Sequence, residues 1–186
     1  MALKSTIFKA NVAVADIDHG YYAEHALTLA RHPSETDERM MVRLAALALN
    51  AYKLQSVCNG DATLGFGDSL SDTDAADVLL RDFTGRTRVW IEVGQPEDKP
   101  LLKACGKADE VLLYCYGSAA EIWWRGIENK LARTRNLSVL RIPTAAAQEL
   151  ARLAQRSMQL QATVQEGTLM LGDGAASVDV DLLRWK

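Results

Sequence analysis

The sequence is poor in the residues that staple small folds together. Only three cysteines occur, Cys58, Cys105 and Cys115, with no Cys-x-x-Cys pair, and the three histidines, His19, His25 and His32, all lie in the first part of the chain. An odd number of dispersed thiols argues against a disulfide framework and reads as reduced, partly buried cysteine. A zinc site would need imidazole partners, and these histidines are far from the cysteines. No stretch approaches the roughly 20 apolar residues of a membrane span. The opening MALKSTIFKANVAVAD lacks the apolar segment of a secretory signal, so a cytoplasmic protein is expected. Excess positive charge is missing too. The formal net charge is −3, which argues against a protein that coats nucleic acid by bulk charge. The balance is uneven, however: residues 1–80 carry 6 basic and 11 acidic side chains, and residues 81–186 carry 15 basic and 13 acidic ones.

What is present is ordinary globular material. With 186 residues, 48% hydrophobic, and no internal repeat or low-complexity linker, the chain predicts a single domain over 1–186. TIFKANVAVADIDHGYYAEHALTLARH reads as a long hairpin, with Phe8, Ala10, Val12 and Val14 on one face and Asp18–Gly20 as the turn. SETDERMMVRLAALALNAYK reads as a helix with Ser34 as N-cap and Asp37 three residues later. CNGDATLGFGDSLSDTDAA reads as the longest irregular stretch and a candidate mobile loop. DVLLRDFTGRTRVWIEV is a second hairpin, followed by a helix (PEDKPLLKACGKA), a doubly buried strand (EVLLYCYG) and a helix opened by Ser118 and Glu121. Next come a strand (LSVLRIP), a helix capped by Thr144, and terminal strands in which Met158, Leu160, Ala162 and Val164 alternate with polar residues. The predicted fold class is α/β (α+β): a mixed sheet flanked by helices, with additional antiparallel strands at both termini.

The second hairpin poses a chemical question. If Thr84-Gly85 is its two-residue loop, Phe83 faces Arg86 and Asp77 faces Glu92 on the same side of the sheet. Opposed side chains there sit ~4.5–5.5 Å apart at Cβ, and like charges destabilise. Two remedies stay open. One is a divalent cation, since Mg²⁺ is often held by one or two carboxylates plus substrate phosphate. The other is a salt-bridge cluster with Arg81 or Arg88. Glu38, at the end of the helix stripe Met41, Val42, Ala45 and Leu49, supplies a third acid, otherwise an ordinary first-turn carboxylate. Lys99, Lys103 and Lys107 recur every four residues, which is a solvated face unless one reaches back over the strand end.

An Asp, about fifteen residues and then a Glu, set in this strand and helix order, resembles the core of the PD-(D/E)XK nuclease-like superfamily. More closely, TDAADVLLRDFTGRTRVWIEVGQPED with LLKACGKADEVLLYCYG is similar to the bacterial YaeQ family, WIEVGQP being its most specific stretch, and FGDSLSDTD fits as well. The resemblance implies a restriction-endonuclease-like core. It makes Asp77 and Glu92 the motif acids, which with the Val93 carbonyl would hold Mg²⁺ or Mn²⁺, and Glu38 the acid of the first core helix. Two departures stand out: Ala76 replaces the usual proline, and Gly94 stands where the motif lysine belongs. Gln95 or Lys103 is then the candidate substitute. The implied chemistry is metal-assisted phosphodiester hydrolysis on DNA or RNA, with Arg125, Lys130, Arg133 and Arg135 as candidate backbone contacts. The alternative is a non-catalytic protein of the same fold that binds nucleic acid or a protein partner.

Overall fold

The structure, a computed structural model, describes residues 4–67, 72 and 74–186. In chain order the elements are β1 (Thr6–Asp16), β2 (Tyr21–Arg31), α1 (Asp37–Asn50), α2 (Lys53–Ser56), β3 (Ala62–Phe66), β4 (Val78–Asp82), β5 (Thr87–Val93) and α3 (Asp98–Cys105). They continue with β6 (Glu110–Cys115), α4 (Ala120–Leu131), β7 (Leu137–Arg141), α5 (Thr144–Arg152), β8 (Ser157–Gln165), β9 (Thr168–Gly172), β10 (Ser177–Asp181) and β11 (Leu183–Arg184).

Two mixed sheets result. The first has the order β10-β9-β8-β1-β2 and the second β11-β7-β6-β5-β4-β3. The additional strands at both termini form a sheet of their own, apart from β11. They are not wholly antiparallel, because β1 and β8 run parallel, Val12 beside Leu160. The alternation read from sequence explains this sheet's single apolar face. Phe8, Ala10, Val12, Val14, Met158, Leu160, Ala162 and Val164 are all buried, while their neighbours in sequence look outward.

That face packs on α1 and α5, and the other side of α1 packs on Val78, Leu80, Val89, Ile91 and Val93 of the second sheet. Sandwiched between sheets, α1 is buried from Met40 to Asn50, although its sequence reads as amphipathic. Each fully buried Leu or Met here contributes about 1.5–3 kcal/mol. The polar residues on this helix must be satisfied internally: Asn50 Nδ2 donates to Ala46 O at 2.8 Å and to the Tyr114 hydroxyl at 2.8 Å. Beyond the second sheet, α3 and α4 cover Trp90, Val111, Leu113 and Val139 with Leu101, Ala104, Trp124 and Leu131.

Several local expectations change. The stretch taken as irregular contains β3, paired antiparallel with β4; residues 68–71 and 73 lie outside the described residues. The cap of α1 is Thr36 rather than Ser34, its side chain accepting from Arg39 N at 3.1 Å. Ser118 and Thr144 do not cap: α4 starts after Ala119, and Thr144 is the first residue of α5 after Pro143, neither start having a side-chain cap bond.

The β4–β5 hairpin reaches the expected register by a different route. Its turn is Phe83-Thr84-Gly85, with Gly85 at φ +88°, so Arg81 lies opposite Thr87. Arg88 is then the extra residue of a bulge, and beyond it Leu80 faces Val89, Leu79 faces Trp90 and Val78 faces Ile91. One irregularity offsets the other, and Asp77 arrives beside Glu92.

Candidate active site

β5 and β6 run parallel, and the chain leaves both at the same end of the sheet. There the segments Gly94–Glu97 and Tyr116–Ala119 line a cleft of roughly 740 Å³, joined by Glu38 and Arg39 from the first turn of α1, Ala75, Glu92, Val93 and Pro100. Clefts at the C-terminal ends of parallel strands are the usual ligand sites of such sheets. The first turns of α1 and α3 and the cap of α4 all border this one, so their dipoles favour negative charge in it.

Asp77 immediately precedes β4, its N–H bonded to Ile91 O at 3.0 Å. Its side chain is fully buried: Oδ2 accepts from Val93 N at 2.7 Å and Oδ1 from Arg39 Nη2 at 2.6 Å. Glu92 lies on β5 with Oε1 accepting from the Trp90 indole N–H at 2.6 Å. Burial, then the neighbouring charge of Asp77, push the Glu92 carboxyl up to about 7, against the opposing pull of Trp90 and Arg39. The sequence-predicted pair is thus brought together, and Glu38 lines the same cleft. Gln95 is at the rim, its Nε2 donating to Tyr116 O at 2.8 Å.

Lys103 is not brought in. Its ammonium lies 2.6 Å from both oxygens of Asp74, with both side chains about half exposed, and it is not among the cleft-lining side chains. Nor do Arg81 or Arg88 neutralise the acid pair; Arg88 binds Asp82 at 3.4 Å and Asp109 at 2.8 Å. Gly94 adopts φ +106°, a conformation costly for any L side chain, so a lysine there would carry backbone strain. On α4, Arg125 pairs with Glu121 at 2.5 Å and Lys130 with Asp98 at 3.1 Å, both on the surface, while Trp124 is buried.

The group that sequence reasoning missed is Arg39. Its Nη1 donates to Glu35 at 2.9 Å, and Glu35, wholly buried, also pairs with Arg43 at 2.8 Å. Burial disfavours the charge of Arg39, but Asp77 and Glu35 outweigh it and raise the guanidinium further. The clue was the four-residue spacing of Glu35, Arg39 and Arg43, which places the three on one line. Tyr116, also in the cleft, has its phenol pushed up to about 12, first by burial.

The acids fit a cation in charge, though not as a ready-made cage. Glu35, Glu38, Asp77 and Glu92 face two guanidiniums, Arg39 and Arg43, which leaves an excess of two negative charges when Glu92 is ionised and of one when it is protonated, as it is below about pH 7. Among the described residues no three His, Cys, Asp or Glu side chains form a metal-holding group. A divalent ion would therefore rest on one or two carboxylates and complete its shell with water and substrate oxygens, the habit of Mg²⁺.

The profile of the YaeQ protein family matches residues 1–182. The chain is 42% identical to an uncharacterised YaeQ protein of Salmonella typhi and 41% identical to that of Escherichia coli K12, over all of this chain and 98% of each relative. The crystal structure of the YaeQ protein from Xanthomonas axonopodis pv. citri superposes with a TM-score of 0.88 at 39% identity, over 98% of both chains. The YaeQ protein from Pseudomonas syringae gives 0.88 at 30% identity, over 98% of this chain and 96% of that one.

Proposed function

This chain belongs to the YaeQ family, and from that premise we propose that it is a metal-dependent phosphodiesterase acting on nucleic acid, its second sheet with α1, α3 and α4 forming a restriction-endonuclease-like core. The observation that carries the reading is the carboxyl pair: Glu92 lines an open cleft at the strand ends, Asp77 adjoins it, fully buried just behind the cleft wall, and there is more acid than base around them. A structural salt-bridge cluster would be balanced, and this one is not.

In this reading Asp77 and Glu92, with the Val93 carbonyl, would hold Mg²⁺ or Mn²⁺. The ion would supply polarisation of the phosphoryl group and acidify an attacking water. Val93 N–H and Arg39 fix Asp77 in one orientation, and the Trp90 indole fixes Glu92. Glu92 must give up its proton to become a ligand, which costs little near neutral pH because its carboxyl titrates at about 7. Gln95 is neutral and serves only to orient substrate or water at the rim. Arg125, Lys130, Arg133 and Arg135 on and just past α4 are the proposed contacts to the nucleic-acid backbone. A hydrolytic turnover adds water's oxygen to phosphorus, breaks the P–O ester bond and sends the proton to the leaving oxygen.

Fluorescent single- and double-stranded DNA and RNA, incubated with the protein in Mg²⁺, Mn²⁺ or EDTA, test this directly. Expected is cleavage in either metal, none in EDTA, and a loss of at least about 100-fold in Glu92→Gln and Asp77→Asn. A second reading, binding without cutting, is favoured by one observation, the Arg39–Asp77 pair that already occupies one motif acid. Intact substrate in every condition, with retention of the oligonucleotide on the protein, would select it.

A further inference from the structure

Arg39 is the one cationic side chain among the described residues that line the cleft. The other candidate cations are engaged elsewhere: Lys103 with Asp74, Lys130 with Asp98 and Arg125 with Glu121, each pair on the surface. A phosphodiester entering this cleft meets Glu38, Glu92 and Glu97 and one guanidinium. Some fixed positive charge must face its non-bridging oxygens, or the acids repel it.

We propose that Arg39 is that charge, the phosphate-binding cation that stands in for the lysine missing at Gly94. The proposal rests on the phosphodiester reading above and deepens it by assigning the group that contacts the substrate's phosphoryl oxygens.

Three features support the assignment. The guanidinium is anchored at two points, by Glu35 at 2.9 Å and Asp77 at 2.6 Å, so it is preorganised rather than trailing on a flexible stem. Those two bonds engage one N–H on each terminal nitrogen of a fork that carries five donors. The anchor is itself braced: Glu35 has no exposed side-chain surface, and Arg43 behind it is 3% exposed, lies over the Phe66 ring at 5.5 Å and donates to Ala30 O. The Arg39 side chain, by contrast, keeps 19% of its surface exposed, toward the cleft. It bridges two fully buried carboxylates, Glu35 and Asp77, while its side chain also lines the open cleft. Its place also fits the chemistry: it touches Asp77, so a phosphate held by a cation on that acid would come within reach of the same guanidinium.

The test uses the full-length protein and a nucleoside 5′-monophosphate, with and without Mg²⁺. In wild type the Arg39 Nε–Hε resonance is followed by NMR during the titration, beside calorimetry on Arg39→Lys, Arg39→Gln and Lys103→Ala. Expected is a saturable shift of the Arg39 resonance with the same midpoint as the heat. Arg39→Gln should weaken binding at least about tenfold, the loss of one charge-assisted hydrogen bond. Arg39→Lys should fall between Arg39→Gln and wild type, and Lys103→Ala should bind like wild type. The wild-type NMR arm decides the matter even if an Arg39 variant fails to fold. A binding isotherm with the Arg39 resonance unmoved, or affinity lost in Lys103→Ala, overturns the assignment and leaves the phosphodiesterase reading standing. No binding of the nucleotide to any form, together with no cleavage of any oligonucleotide, overturns both.

Discussion

Replacing Glu92 by Gln should make the protein more stable at pH 8 and much less so at pH 5. In the unfolded chain this carboxyl titrates near 4.5, and in the folded chain near 7. Between those values the native state holds a proton that the unfolded chain has released. Stability from this group is therefore complete below about pH 4.5, is lost as pH rises through about 7, and levels off above. The difference corresponds to about 3 kcal/mol, and Glu92 is sufficiently buried that solvent screens little of it. Glutamine keeps the useful half of the interaction: its Oε1 accepts from the Trp90 indole as Glu92 Oε1 does, and its amide donates toward Asp77 as a protonated carboxyl would. For a chain of 186 residues, about 3 kcal/mol is about 6–12 °C in melting temperature. The assay is urea unfolding of wild type and Glu92→Gln at intervals from pH 5 to 8 without divalent metal. That window avoids Asp18, Asp74, Asp82, Asp98 and Asp173, whose carboxyls are held below 3.8, chiefly by hydrogen bonds, and act only in acid. Parallel curves for the two proteins across this range would refute the reasoning, since no excess proton would then be bound at Glu92.

Three further outcomes follow from the same geometry. Mg²⁺ affinity, read by calorimetry, should rise up to about tenfold per pH unit below pH 7 and flatten above it, with about one proton released per ion, because metal and proton compete for Glu92; an affinity independent of pH removes Glu92 from the ligand set. Gly94→Ala should lower unfolding free energy by about 1–3 kcal/mol through its φ of +106° alone, as a Cβ there meets nothing within 4 Å; a neutral result in chemical denaturation would mean the loop relaxes freely. Glu35→Ala should cost about 3–5 kcal/mol, because it strands the buried Arg43, and a loss below about 1 kcal/mol by the same measurement would show that Arg43 finds another partner.

Much of this was legible in the sequence because it is written in short-range periods. The alternation of Phe8 to Val14 and of Met158 to Val164 fixed which face of each strand is buried, whatever its partner, and the strand–helix order of residues 77–143 determined a mixed, helix-covered sheet. The Asp77–Glu92 pairing was also readable, although the predicted loop was one residue too short and only the bulge at Arg88 restored the register. Helix caps were read less well: Ser34, Ser118 and Thr144 all have the right chemistry, but a cap forms only where the backbone turns, and Thr36 is the one that meets that turn in α1.

The tertiary structure alone decided that β1 lies beside β8, across most of the chain, and so gathered both termini into a separate sheet. It also decided which cation serves the acids. Lys103 follows Glu92 closely in sequence, yet its helix carries it out to Asp74, while Arg39, 38 residues before Asp77, is brought to 2.6 Å from it. The physical reason is that side-chain period depends on neighbouring residues, whereas the partner of a buried charge depends on how whole elements pack. Between two sheets α1 is buried from Met40 onward, so the buried charges Glu35, just before it, and Arg43 had to be satisfied internally, and Arg39 in its first turn links Glu35 to the strand end at Asp77.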